Sequence, residues 1–371
     1  MGQTATTTHS GASDSAFGEQ LNALTRALAE RAAHFDSTRE WPAESLEAFG
    51  AAGGWRWGLP EASGGLGLSP VQRLRGYAAV AEGDMSAALY LTQHEGASEL
   101  ILGSPNGALR EELTPQMAAG RCLLTIGYSQ LTTSHQDGPP ALRAELGDDE
   151  IVLDGFMPWV TGAPCVHAVT AGAVLADGTQ LVVLVPLSAP GIRIEAPMSL
   201  LAMNSTLTCV VRCDGVRLGL DRLVLGPERD VLARRSGLRG LAVSACGIGV
   251  LRAIDAVIAR SAAKIPSGAS GIDFAGVAAQ MQRDLEHLAT ADLSTDVAAH
   301  ATVALRAQLN ETLVRAAGIM LTIAKGRGFM SGQDAERLYR EASFFCVWSA
   351  SDAVRAGTIN GLTSRASPID V

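Results

Sequence analysis

Along the first third of the chain, apolar positions recur at helical spacing. "FGEQLNALTRALAERAAHF" opens the pattern at about residue 16. "WPAESLEAFGAAGGW" puts Pro42 near a helix start and glycines after its end. A breaker-rich loop, "GLPEASGGLGLSP", precedes further helix from about 70 to 102. From about 121 the period shortens. "CLLTIGYS", "ALRAELGDDEIVLDGFMPWVTG", "VHAVTAGAVLADGTQLVVLVPL", "GIRIEAP" and "STLTCVVRCDGVRL" are strand-length, β-rich runs separated by Asp-Asp, Asp-Gly and Pro-Gly turns. They predict hairpins in a small antiparallel barrel or sandwich. After Gly226 long Ala- and Leu-rich helical patterns return until near 360, broken at "KIPSGASGI" and "KGRGFMSGQ". Helices, then strands, then helices predict an α+β protein. The expected units are a disordered polar tail over 1–15, a helical domain over 16–120, a β domain over 121–228 and a second helical domain over 229–371.

Composition narrows the partners. A chain of 371 residues with net charge −9 is long enough for several packed layers and is a poor default partner for nucleic acid. No uninterrupted apolar run reaches about 20 residues, so no membrane span is expected. The start, "MGQTATTT", formally matches a myristoylation signal but reads equally as a polar tail. With no charged-then-apolar leader, a cytoplasmic location is expected. The six scattered cysteines form no CxxC pair, which predicts buried free thiols and no metal site.

Within "LDGFMPWVTGAP" one of only five tryptophans, Trp159, stands two residues before Thr161. Strand alternation predicts that the two side chains point the same way. An indole beside a small hydroxyl suits a flat ligand with a polar edge; equally, Trp159 suits the core of a barrel.

These residues resemble the acyl-CoA dehydrogenase superfamily of flavoproteins, over about residues 16–360. "LPEASGGLGLS" is similar to its P-x-x-x-G-G-x-G loop, and "DGFMPWVTGAP" to its NGxKxWIT strand. The resemblance implies an N-terminal helical domain, a middle antiparallel β-barrel and a C-terminal four-helix bundle, with FAD between the last two. It implies that Trp159 packs beside the isoalloxazine and that Thr161 bonds its polar edge. "SQLTTSHQ" falls on the family's TEPxAGSD loop, so Ser129 takes the place of a flavin-contacting Thr. Ser134 lies in the same loop. His135 takes the place of a Ser near the pyrophosphate and substrate, or is a solvent-facing loop histidine. "LTIAKGRGFMSGQDAERLYREA" resembles QxxGGxGxxxxxxxExxxRDA: Gly326, Gly328, Arg340 and Glu341 match, while Thr322 and Lys325 replace the Gln and the first Gly. "RSAAKIPSG" stands where the family grips the FAD diphosphate of a neighbouring subunit; Arg260 remains and the aromatic is gone. FMN or a diffusible reduced flavin therefore stands beside FAD as the expected cofactor.

Family dehydrogenases remove an α-proton with a Glu just after the RDA helix. Counted without gaps, Trp348 takes the Tyr place there and Ser349 the Glu place. A serine hydroxyl is no unaided base. Asp352, three residues on, is the displaced candidate, and "SASD" also reads as a helix cap. Three functions follow from the resemblance. The first is a flavin-dependent oxidoreductase acting on an acyl thioester or another small molecule. The second is a two-component monooxygenase using O2 and reduced flavin from a separate flavin reductase, with His94, His135 and Ser349 as its polar pocket. The third is a non-catalytic subunit paired with an active homologue. His94 also suits a packing role. A homodimer or homotetramer is expected, because the family's flavin site is completed by a neighbour.

Overall fold

The structure, a computed structural model, describes residues 8–132, 138–233, 238–267, 269 and 271–364, with backbone alone at 8–13 and 239. Helix α1 (Thr8–Thr38) buries Leu21, Leu24, Leu28, Ala32 and Phe35, one helical face. It begins at Thr8, inside the stretch predicted to be tail. Helix α2 (Ala43–Ala51) follows Pro42 and ends before Gly53, whose φ of +69° suits glycine. Helix α3 (Pro70–Gly83) starts with a capping box between Ser69 and Gln72 and with proline in the first turn. Helix α4 (Met85–Leu102) is buried nearly all round and is capped by Asp84, which accepts from the Ala87 N–H at 3.1 Å. Helix α5 (Gly107–Ala118) closes the first helical region.

Among the described residues eight strands follow: β1 (Leu124–Gly127), β2 (Leu142–Leu146), β3 (Glu150–Val160), β4 (Ala168–Val174), β5 (Gln180–Pro186), β6 (Ile192–Ile194), β7 (Cys209–Gly219) and β8 (Leu223–Glu228). They form one sheet in the order β6-β7-β3-β2-β4-β5-β8, with β1 paired to β4. The predicted antiparallel barrel needs correction in this detail. β1 and β4 run parallel, as do β2 and β4 at Arg143, because the long connection from β1 to β2 brings the chain back in the same direction. β8 lay beyond the runs read as strands.

The C-terminal region holds α6 (Leu238–Arg260), α7 (Phe274–Thr290), α8 (Asp296–Ala324), α9 (Asp334–Phe344) and α10 (Asp352–Thr363). Among the described residues this region thus has five helices where four were expected, since the last stretch is divided by the turn at 345–351. Within α6, Gly240–Arg260 is long and apolar enough to cross a bilayer, which the search for uninterrupted apolar runs missed. Two thirds of that window is buried, and the helix packs on α3, α7 and α8, the position of a core helix. Cys122, Cys209, Cys213 and Cys246 are buried free thiols, while Cys165 and Cys346 are half-buried.

Candidate functional site

The end of β3 departs from simple alternation. Met157 pairs with Val211 and Val160 with Cys209, so one extra residue of β3 faces two steps of β7. That bulge turns Met157 and Val160 inward and leaves Trp159 48% exposed, while Thr161, one residue past the strand, is 7% exposed. Ring and hydroxyl are thus unequally buried, the ring largely exposed and the hydroxyl enclosed. The Thr161 Oγ1 meets the Thr208 hydroxyl at 3.4 Å. Thr208 in turn meets Thr206 at 2.9 Å, and Thr206 donates to the Met203 carbonyl at 2.8 Å. Trp41 lies where a side chain on Gly162 would stand, which fixes the turn after Thr161. Ser129 begins a short 3-10 turn, Ser129–Leu131, that packs on β3. Gln130 pins this turn by donating to the Gly127 and Gly172 carbonyls at 2.9 and 2.7 Å. Among the described residues the buried Ser129 hydroxyl has no hydrogen-bond partner, an arrangement that a ligand acceptor or donor would relieve. An exposed indole, an orphan hydroxyl and a threonine tied on one side only fit a flat group with a polar edge. Ser134 and His135 lie outside the described residues.

His94 belongs to a different environment. Its Nδ1 accepts the Leu124 N–H at 3.0 Å, so the neutral ring carries its hydrogen on Nε2. Burial pulls its pKa down to about 4, outweighing the bond from Leu124. The ring packs edge-on against Trp55 at 5.1 Å and tilted against Tyr90 at 6.1 Å. It lines a cavity of about 30 Å³, room for roughly one water, together with Phe49, Trp57 and Ser98. These contacts are those of a packing residue joining α4 to β1.

Ser349 lies in the turn between α9 and α10, exposed and left-handed at φ +48°. The turn is held from below by Arg306 of α8, whose Nη2 donates to the carbonyls of Phe345 and Trp348 at 2.9 and 3.1 Å. Arg306 also stacks over the Phe345 ring. Burial lowers its pKa to about 10, and no carboxylate pairs with it among the described residues. Asp352 stands in the first turn of α10 behind its cap Ser351; its side chain is 97% exposed and pairs with Arg355 at 2.9 Å. Arg260 pairs with Asp334 at 3.1 Å. Gly326 is exposed, with open space where a side chain would stand, and Lys325 beside it takes φ +55° and ψ −155°, a conformation that suits glycine. Under the turn, Arg337 grips buried Glu341 through both carboxylate oxygens at 3.1 Å. Burial still pushes Glu341 up to about 7, whereas Glu341 and Asp334 outweigh burial at Arg337 and keep it charged.

Ser129, Trp159 and Thr161 therefore gather around β3. Among the described residues, no hydrogen bond, ion pair or ring contact joins them directly to His94, Ser349, Asp352, Arg260 or Gly326.

The family described as "Acyl-CoA dehydrogenase, N-terminal domain" matches residues 16–121. A probable acyl-CoA dehydrogenase, YngJ, of Bacillus subtilis is 24% identical over 348 residues, covering 88% of this chain and 91% of its own. Residues 16–121 thus carry the N-terminal domain of the acyl-CoA dehydrogenase family, and most of the chain is similar to a protein of that name. Two solved structures share the fold. KijD3, in complex with FMN and a dTDP-linked 3-amino-4-keto sugar, is 18% identical with TM-score 0.71, over 96% of this chain and 95% of its own. The nitrososynthase of Micromonospora carbonacea is 22% identical with TM-score 0.69, over 93% and 95%.

Arg306 and the threonine pair Thr206 and Thr208 are not marked by the sequence patterns above. "STLTC" read only as the start of a strand, although three hydroxyl residues in four positions were the visible signal. Arg306 gave none, since an arginine in a long helix reads as surface.

Proposed function

We propose that the chain is a flavin-dependent oxidoreductase that binds FAD or FMN against Trp159, Thr161 and Ser129 and works without a carboxylate at the Ser349 turn. The observation that carries this reading is the turn itself. Ser349 offers an exposed hydroxyl, and the nearest acid in the chain, Asp352, is turned to solvent and paired with Arg355. The bound flavin would supply two-electron redox chemistry. Trp159 would cover its ring, and Thr161 and Ser129 would bond its polar edge. Exposed Phe329, Met330, Val347 and Ile359 in the C-terminal region suit a homodimer or homotetramer.

A second reading, oxygenation with reduced flavin delivered by a separate reductase, is favoured by the KijD3 complex. The same fold there holds FMN and an amino sugar nucleotide. One experiment separates the readings. Purified protein is titrated with oxidised and reduced FAD and FMN while tryptophan fluorescence is followed, then mixed with saturated acyl-CoA thioesters. Quenching that weakens in Trp159→Ala, with negligible flavin reduction by acyl-CoA, is the expected result. Substrate-dependent oxygen uptake with NADH and a flavin reductase selects the oxygenase. Failure of every flavin to bind at tens of micromolar sinks both and leaves the non-catalytic subunit. Rapid reduction by an acyl-CoA overturns the absence of a base.

A further inference from the structure

The glycine-rich loop ahead of α3 is a fastened arch. The Gly65 N–H donates to the Pro60 carbonyl at 2.9 Å, and the Leu66 N–H to the Arg56 carbonyl at 3.2 Å. Arg56 donates through Nε to the Gly64 carbonyl at 2.6 Å. A side chain on Gly65 would stand 1.8 Å from the Leu59 carbonyl oxygen, so the arch closes only on glycine. Beside it lies a cleft of about 520 Å³, lined by Trp57, Leu59, Pro60, Glu61, Leu68 and Arg73. That volume falls within the roughly 300–1,000 Å³ of small-molecule sites. Trp57, Gly58 and Leu59 also line the chamber of about 30 Å³ at His94, so cleft and chamber share a wall. Ser129, Trp159 and Thr161 line neither.

Donors and acceptors around these two spaces are out of balance. His94 is 5% exposed, and the bond from the Leu124 N–H to its Nδ1 leaves the hydrogen on Nε2. Among the described residues no acceptor meets that Nε2–H. Burial holds the ring neutral, with a pKa of about 4, so this donor persists at neutral pH. Trp57 is also 5% exposed, and its Nε1–H has no partner among the described residues. Its six-membered ring rests where a side chain on Gly76 would stand, which turns the pyrrole edge away from α3. Arg73 pairs through Nη2 with Glu95, while its buried Nε–H has no partner among the described residues. Buried donors are ordinarily paired, so three without acceptors point to an acceptor brought by a ligand. Charge narrows the choice. Glu95 neutralises Arg73, and the Glu61 carboxylate adds a negative charge beside Gly67. An anion is opposed there, and a cation offers no acceptor.

We propose that the cleft and the chamber behind it form a binding site for a small uncharged carbonyl compound, an amide or a ketone on an apolar body. The body lies against Leu59, Pro60 and Leu68. The carbonyl oxygen turns inward and accepts from Trp57 and Arg73, with the His94 Nε2–H behind them in the chamber. The site is built from the N-terminal helical region alone. It stands apart from the residues gathered at β3 and does not depend on the flavin reading.

The chain has five tryptophans, so indole-selective nitrogen-15 NMR of the full chain reads each Nε1–H separately. Trp57→Phe and Trp159→Phe assign the two signals that matter. Added cyclohexanecarboxamide should move the Trp57 signal downfield, as an N–H moves on gaining an acceptor, and leave Trp159 in place. Cyclohexylmethylamine, which keeps the ring and lacks the carbonyl, should move neither. Cyclohexanecarboxylate should bind more weakly than the amide. Loss of one hydrogen bond predicts about five-fold weaker amide binding to Trp57→Phe, and likewise to Arg73→Lys, which keeps a cation beside Glu95. The lysine variant still reads the site if Trp57→Phe is unstable. A Trp57 signal unmoved at tens of millimolar amide, an equal shift with the amine, or an amide affinity unchanged in Arg73→Lys overturns the proposal.

Discussion

The end of β3 and the turn between α9 and α10 each present a hydroxyl residue just past a regular element, and they are fastened in opposite ways. Thr161 is held through its side chain, in a buried run of hydroxyls that reaches Met203. Ser349 is exposed, and its turn is held through backbone carbonyls by Arg306. A residue held by its side chain cannot be exchanged without disturbing its neighbours. A residue in a turn held by its backbone is exchanged at little cost to the turn, so Ser349 should be replaceable on the same scaffold. The side chain at the first place is tied to the fold, and at the second it is free of it. The two places are joined at one remove: Arg340 of α9 donates to the Leu201 carbonyl at 3.2 Å, in the loop that carries Thr206 and Thr208.

If the turn is a backbone-held scaffold, its supports should matter more than its side chains. The largest effect expected in α9, the helix leading into the turn, is at buried Glu341. Its pKa in the folded protein is about 7 against 4.5 as the ordinary value, so the folded state holds its proton more tightly. This contribution is complete below about pH 4.5 and is lost as pH rises through 7, on the order of 3 kcal/mol in total. Urea unfolding of wild type minus Glu341→Gln across pH 4.5–8 should show that falling difference; a flat difference removes Glu341 from the account. Arg306→Met comes next. It orphans two carbonyls, at a cost of about 1–3 kcal/mol each, while relieving the burial of an unpaired cation. The net expectation is a loss of about 2 kcal/mol, with faster amide exchange at 345–349. Unchanged exchange there would mean that the turn holds itself.

The same contrast governs what was legible in the sequence. Helices and strands followed from apolar spacing, because burial acts on every residue of an element. Trp159 and Thr161 were visible as residue types, but their unequal burial was not, because a bulge against β7 depends on pairing between positions some 50 residues apart. The parallel pairing of β1 with β4 was hidden for the same reason. His94 read equally as catalytic or packing, and the Leu124 N–H on its Nδ1 favours packing. Arg306 was illegible because its partners are main-chain carbonyls, which carry no mark in the residue code.

Smaller effects sharpen the contrast at the turn itself. Ser349→Gly removes a side chain from a left-handed position and should raise stability by about 0.5–1 kcal/mol, seen as a higher melting temperature. A lower one would show that the Ser349 side chain helps to hold the turn.

Asp352→Asn should do least. The carboxylate lies in the first turn of α10, where the helix dipole favours a negative charge, and it pairs with Arg355 in solvent. Both interactions are screened at such exposure, and Ser351 keeps the cap through the Val354 N–H. The expected loss is a few tenths of a kcal/mol, with flavin binding and redox behaviour unchanged. The measurement bears on chemistry as well as stability, since Asp352 is the acid nearest in sequence to Ser349. A general base contributes typically about 10²–10⁴-fold to rate. If the wild type reduced its flavin with an acyl-CoA and Asp352→Asn lost that activity by such a factor, α10 would have to turn its first residue inward during turnover. The α9–α10 turn would then be a moving part, and the distinction drawn between the two hydroxyl sites would fail.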